Sequence, residues 1–265
     1  MEMKKCEICG KEYIKNKNLS IFPENLREKI EYVSDCDCQL EITIQELLEK
    51  EMDKQRKSRV KYFKDISIVD KRFLWSRFEN ADMNSKHMQL VRKYVDSFLK
   101  KEKQEGLLFY GGVGTGKTFS TACIANYLIE KGKAVLVMNL GLYLNKLTTE
   151  WGEAERKILE YVEECDLLII DDFSGEKGLD KDNTGWRAEK IYNLIDARYR
   201  TEKPLIISTN LNFSREEEKC ELTEKFSTQG QNRIRDRIVD MCFPVKVAGK
   251  SKRGMTQERF TNFIS

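Results

Sequence analysis

Proline is nearly absent from this chain, with three in 265 residues, and histidine occurs once, at His87. So little proline argues against proline-rich disordered linkers. His87 stands far from any other metal-binding residue and reads as a surface residue. No apolar run approaches the roughly 18 residues that a membrane span needs, so no membrane association is expected. The opening Met1-Glu2-Met3-Lys4-Lys5 lacks the apolar stretch of a secretory signal, and a cytoplasmic location is expected. Internal repeats and low-complexity tracts are also missing. The net charge of +3 is too small to argue for or against a nucleic-acid partner. What remains is a chain with 40% hydrophobic and 34% charged residues, enough for a packed core under a water-soluble surface. Its length fits one large domain, or a medium domain with a small attachment.

The most informative stretch is Gly111-Gly112-Val113-Gly114-Thr115-Gly116-Lys117-Thr118, which fits the phosphate-binding P-loop pattern. The apolar run 107–110 before it reads as a buried strand, and 119–129 after it as a helix with an apolar face. Glycines let successive backbone N–H groups turn toward a polyphosphate at the positive end of that helix. Lys117 is expected to reach the β- and γ-phosphates of ATP, and the Thr118 hydroxyl to ligate Mg²⁺.

A second apolar strand is expected over 134–138, then two helical patterns across 142–162 with a break near Gly152. The strand 166–172 ends in Asp171-Asp172, the arrangement of a Walker B element. Asp171 is placed to hold the Mg²⁺ shell opposite Thr118, and Asp172 to activate the attacking water. The strand between the two motifs implies that the P-loop and Walker B strands are not neighbours in the sheet. A helix over 187–199 leads to a strand over 204–210, whose terminal Asn210 is placed to bond the γ-phosphate or the water. A later helix carries Arg233, Arg235 and Arg237, one of which is a candidate for reaching a neighbouring subunit's phosphates. Phe243 to Val247 forms the last strand.

Toward the N-terminus, Cys6-x-x-Cys9-Gly10 and Cys36-x-Cys38 make two close pairs. Four thiolates from such pairs match the closed tetrahedron of structural zinc. A stretch of about 40 residues has little core of its own, so metal would hold it together. Apolar residues at helical spacing follow over 42–60. The run 54–64 holds Lys54, Arg56, Lys57, Arg59, Lys61 and Lys64 without an acid. Two readings stand for it: a basic helix along a nucleic-acid backbone, or a solvated helix face. The run 73–78 reads as an aromatic anchor, and 88–98 as an amphipathic helix leading to the P-loop strand.

In this order of P-loop, Walker B, sensor asparagine and late arginine helix, the chain resembles the AAA+ ATPases. Its finer details resemble their DnaC/DnaI helicase-loader branch, which includes the IstB-like transposition ATPases. Gly106 to Gly111, Asp171-Asp172-Phe173 with Glu176, the run Tyr192 to Tyr199, Pro204 with Ser208-Thr209-Asn210, and Gly249-x-Ser251-x-Arg253 carry the resemblance. It implies an α/β fold: a P-loop AAA+ core with a five-stranded parallel sheet over residues 73–265. A small four-cysteine zinc-binding domain over 1–45 and a helical connector over 46–72 would precede it. It also implies an ATPase that forms homo-oligomers when ATP is bound and loads a ring-shaped DnaB-type replicative helicase onto single-stranded DNA. Arg237 becomes the finger residue by this resemblance, and 142–162 the DNA-contacting insertion, with Tyr143 stacking on bases and Lys146 pairing with phosphate. Ser174 stands where the family commonly has glycine. Asp172 is one methylene shorter than the usual catalytic glutamate, so slow hydrolysis is expected. Three rivals remain: an IstB-like transposition helper, a P-loop kinase, and a nucleotide-independent adaptor acting through its zinc domain.

Overall fold

A computed structural model describes residues 5–17, 20, 24–27, 31–34, 36, 38–67, 73, 75–101, 104–149, 153–173, 185–216, 219–226, 232–249, 251 and 261. Leu74, Gly152, Ser174, Glu176 and Arg253 lie outside the described residues. The chain divides into two compact units, Met1–Lys57 and Ser58–Ser265.

The first unit holds a two-stranded antiparallel ladder, β1 (Tyr13–Lys15) with β2 (Tyr32–Ser34), and the start of the helix Cys38–Ile66. That helix begins on the last cysteine of the quartet and extends beyond the expected 42–60 at both ends.

The second unit is an α/β layer structure. Its sheet consists of β3 (Gly106–Tyr110), β4 (Val135–Asn139), β5 (Leu167–Asp171), β6 (Leu205–Thr209) and β7 (Cys242–Lys246). The spatial order is β4-β5-β6-β3-β7, and every pair is parallel. Strands so covered read as unbroken apolar runs, and the first four residues of β3, β4 and β5 are buried accordingly. β6 separates the P-loop strand β3 from the Walker B strand β5, as the extra strand implied. The strand that intervenes in sequence, β4, goes to the edge.

Helices cover both faces. On one, the helices Lys86–Lys100 and Lys117–Glu130 pack Met88, Val91, Val95, Phe98, Ile124 and Leu128 against the sheet. On the other lie Leu140–Thr149, Glu153–Glu164, Trp186–Arg200 and Arg233–Met241. The entry ends of β5 and β6 are pinned by Arg198, which is fully buried. Its guanidinium donates to the carbonyls of Val162 (2.7 Å), Cys165 (3.0 Å), Asp166 (3.1 Å) and Pro204 (2.8 Å). Distributing one buried cation over four carbonyls satisfies it without a carboxylate partner.

In the basic run, Lys57 and Arg59 each pair with an acid. Lys57 pairs with Asp53 one turn earlier. Arg59 bonds Asp166 at 3.1 Å and the Glu164 carbonyl at 2.7 Å, which fixes the end of this helix within the second unit. The aromatic anchor holds in part. Phe73 and Phe78 are buried, whereas Trp75 is 77% exposed. Tyr143 also departs from expectation. It is buried in the core, because its side of the helix Leu140–Thr149 packs onto the sheet, and it offers no face for base stacking at the surface. Lys146, one turn on, is exposed.

Candidate functional site

Parallel strands ending together at one edge create a crevice beyond their carboxyl ends. Here a cavity of about 500 Å³ lies there. The P-loop residues Val113, Gly114, Gly116, Lys117 and Thr118 form one wall, and Asp171, Asp172 and Asn210 another. The candidate side chains of Lys117, Thr118, Asp171, Asp172 and Asn210 are thus brought to one place, whereas Thr115 and Arg237 do not line the cavity.

The loop keeps its shape through its glycines. Gly111 has φ 136°, and an added Cβ would lie 2.5 Å from the Val247 carbonyl oxygen. Gly114 has φ 78°, and a Cβ there would meet Ser251 Oγ at 2.1 Å. Both positions therefore exclude side chains, by conformation and by the close passage of the segment after β7. Thr115 is buried and donates to the Gly112 carbonyl at 2.9 Å. Lys117 is buried and donates to the Gly111 and Gly112 carbonyls, each at 2.7 Å. Its ammonium thus already lies inside the loop where a phosphate would be received.

Thr118 Oγ1 donates to Asp171 Oδ1 at 3.2 Å. A hydroxyl and a carboxylate at this separation, facing a phosphate cradle, are the hard oxygen donors that Mg²⁺ takes. Burial pushes the Asp171 carboxyl up, while hydrogen bonds from Ser208 and Thr118 pull the other way. Asp172 has φ 54°, unusual for a residue other than glycine. Its carboxylate accepts from Asn210 Nδ2 at 3.4 Å.

The same cavity is also lined by Phe73, Ser76, Asp82, His87 and Met88, from the segment and helix preceding β3. His87 is therefore not a plain surface residue; its Nδ1 lies 2.6 Å from Ser85 Oγ. Ser208 and Thr209 line the cavity as well. No motif marks the first group in the sequence, because these residues converge only through packing.

Arg237 lies elsewhere. It pairs with Asp196 at 2.6 Å and stacks over the rings of Tyr192 and Tyr199. Arg235 is buried and donates to the Arg215 carbonyl at 2.7 Å, and Arg233 is exposed.

In the first unit, the sulfurs of Cys6, Cys9, Cys36 and Cys38 all lie within 4.8 Å of one another, an arrangement that could hold a metal ion. Backbone N–H groups of Cys9 and Ile8 point at the Cys6 sulfur and lower its pKa to about 6. Cys38, crowded by Cys9 and Cys36, is pushed up to about 12. A metal ion bound by the four sulfurs would compensate the charge of the thiolates, so that ionisation and binding are coupled. The donor set, four sulfurs and no oxygen, suits Zn²⁺.

Comparison with known proteins agrees with this geometry. The family described as IstB-like ATP binding protein matches residues 14–259. The replicative helicase loader DnaI of Bacillus subtilis is 27% identical over 219 residues, covering 78% of this chain and 67% of that protein. The replicative helicase loader DnaC of Escherichia coli is 26% identical over 150 residues, covering 55% of each. Among solved structures, that of DnaI superimposes with a TM-score of 0.57 at 20% identity, over 71% of this chain and 95% of that one. That of the DnaC helicase loader gives 0.52 at 21% identity, over 68% and 100%. The fold is thus that of the DnaI and DnaC AAA+ domains. Among the described residues, no helix is long and apolar enough to cross a membrane.

Proposed function

The chain belongs to the IstB-like ATP-binding family, and on that premise we propose that it is an ATP-dependent loader of a DnaB-type replicative helicase onto single-stranded DNA. The observation that carries the nucleotide part is the cavity shared by Lys117-Thr118 and Asp171-Asp172-Asn210. The likeness to two proteins named helicase loaders supports the rest.

In this reading Gly111 to Thr118 bind the phosphates of ATP. Lys117 exchanges its two carbonyl partners for β- and γ-phosphate oxygens. Thr118 and Asp171 would hold Mg²⁺, which supplies neutralisation of phosphate charge. Asp172 accepts a proton from the attacking water, and Asn210 orients that water or the γ-phosphate. Arg237 acts on the nucleotide of an adjoining subunit, so hydrolysis needs a homo-oligomer and is slow in the isolated chain. Residues 1–45, folded around Zn²⁺ by Cys6, Cys9, Cys36 and Cys38, dock the helicase. Residues 46–72 connect them to the ATPase domain at 73–265. The protein works in the cytoplasm.

The test is capture of the host's replicative helicase by the full chain and by a chain lacking residues 1–45, with and without ATP. Capture that requires the cysteine domain supports the loader. No capture in any state overturns it and favours the transposition helper, to be checked against a transposase partner. ATP-insensitive capture, unchanged by Asp172→Asn, favours the adaptor.

A further inference from the structure

Ser208 lies on β6 two residues before Asn210 and is 2% exposed. The β5–β6 ladder runs through Ile170 and Ile207. Immediately beyond, Ser208 takes over the contact between the strands. Its hydroxyl donates to Asp171 Oδ1 and accepts the Asp172 N–H at 3.1 Å. Its carbonyl accepts the Phe173 N–H at 2.8 Å. Three consecutive residues at the end of the Walker B strand are therefore held by one residue of the neighbouring strand.

Two consequences follow for the cavity. Asp171 Oδ1 is shared between Ser208 and Thr118, so the hydroxyl of Ser208 fixes which way that carboxylate faces the P-loop. Asp172 sits in the left-handed region, where a residue with a side chain is strained unless its surroundings hold it. The bond from its N–H to Ser208 Oγ is such a hold. It turns the chain so that the Asp172 carboxylate reaches Asn210. A hydroxyl both donates to a carboxylate and accepts from an amide through one oxygen, which a thiol does only weakly. A buried alanine would leave the Asp172 N–H and one lone pair of Asp171 without these partners.

We propose that Ser208 is a positioning residue for the two acids: it aims Asp171 at Thr118 and holds Asp172 in the left-handed turn that faces Asn210. It acts through the two carboxylates. Their roles rest on the ATPase reading above; the geometry does not.

The experiment compares the full-length parent with Ser208→Ala and Ser208→Cys in three measurements. The first is Mn²⁺ affinity, by electron paramagnetic resonance, in the presence of a non-hydrolysable ATP analogue. The second is steady-state ATP turnover, and the third the crystal structure of the nucleotide-free protein. For Ser208→Ala, Mn²⁺ affinity and kcat should each fall about tenfold, the scale of one hydrogen bond to a charged group, with KM for ATP within about threefold. Asp172 should leave positive φ. Ser208→Cys, nearly isosteric with a weak donor, should fall between, and it carries the same measurements if the alanine variant does not fold. Parent-like Mn²⁺ affinity and kcat in Ser208→Ala would overturn the proposal. So would a crystal structure in which Asp172 keeps its positive φ and Asp171 stays on Thr118. A parent that binds Mn²⁺ and the analogue but never turns over ATP would sink the ATPase reading alone, with the metal affinity and the crystal structure still deciding Ser208. If the parent binds neither, the nucleotide reading falls and the crystal structure decides.

Discussion

Arg237 Nη2 bonds Asp196 Oδ1 at 2.6 Å while its guanidinium lies 4.5 Å from the ring centre of Tyr192 and 5.4 Å from that of Tyr199. The pair is mostly buried, with side-chain exposures of 22% and 20%. Breaking it should lower stability by about 2 kcal/mol, between the surface and fully buried limits. If Arg237 is also the residue that acts on a neighbour's nucleotide, Arg237→Ala and Asp196→Asn separate. Both should lower Tm, but only Arg237→Ala should abolish turnover in the assembled protein. Equal effects of both on turnover would reduce Arg237 to a clamp between two helices.

This relationship also shows what was legible in the sequence. The run Tyr192 to Tyr199 carried a family resemblance without a physical reason, and the structure supplies one. Tyr192, Asp196 and Tyr199 hold Arg237, Arg198 caps four carbonyls, and Leu194 with Ile195 fill the core. The P-loop, the two acids and the sheet were readable because each is a local pattern: a glycine loop between strand and helix, or an apolar run ending in carboxylates. The burial of Tyr143 and the approach of His87 to the cavity were not, because both depend on which helix face meets the sheet. Ser208 was readable as a strand residue and as part of the Ser-Thr-Asn run that carries the resemblance, without a role of its own. Its role appears once β6 is known to lie beside β5.

Lys117 gives the most direct check on nucleotide binding. Its ammonium is held inside the loop by two carbonyls at 2.7 Å. Lys117→Ala removes the charge while the glycine conformations remain. Two lost bonds to phosphate at charged-group strength correspond to an affinity loss on the order of a hundredfold or more. Titration with a fluorescent ATP analogue measures this, and unchanged affinity would exclude the loop as the nucleotide site.

Tyr143 offers a test in the opposite direction. Its hydroxyl is buried and has no hydrogen-bond partner among the described residues. Burial also raises its pKa, so it stays neutral. Tyr143→Phe removes an unsatisfied polar atom and keeps the ring. It should raise stability by about 1 kcal/mol, equivalent to roughly 2–4 °C in Tm for a domain of this size. Affinity for a single-stranded oligonucleotide should not change. A weakened oligonucleotide complex would return Tyr143 to the role of a base contact.

The segment after β7 has its own prediction. Gly114→Ala should disrupt the P-loop twice over, through a φ of 78° and through the approach of Ser251 Oγ to 2.1 Å from the new Cβ. Adding Ser251→Gly removes the Oγ and Cβ contacts, leaving the Ser251 Cα at 3.2 Å, but not the backbone strain, which is about 1–2 kcal/mol for a left-handed non-glycine residue. The double variant should therefore recover part of the nucleotide affinity that Gly114→Ala loses. No recovery would mean that the backbone, through the conformation of Gly114 and the close Ser251 Cα, dictates glycine at this position without help from the Ser251 side chain.

The cysteine quartet makes a prediction about pH. Without metal, Cys6 is lowered to about 6 and Cys38 raised to about 12. At pH 7 the first is mostly thiolate and the second a thiol. Zinc requires thiolates, so its uptake must expel at least the Cys38 proton. Affinity then rises with pH, by about tenfold per unit for each proton released, until Cys38 would ionise unaided. Below pH 6 the slope should steepen, because Cys6 now also begins protonated. Calorimetric titration in two buffers of different ionisation enthalpy counts these protons directly. A chelator should in turn melt residues 1–57 while the P-loop unit keeps its nucleotide affinity, since the four sulfurs belong to the first unit alone. Zinc uptake with no proton release, or a Cys38→Ser chain that keeps its metal equally tightly, would remove Cys38 from the ligand set.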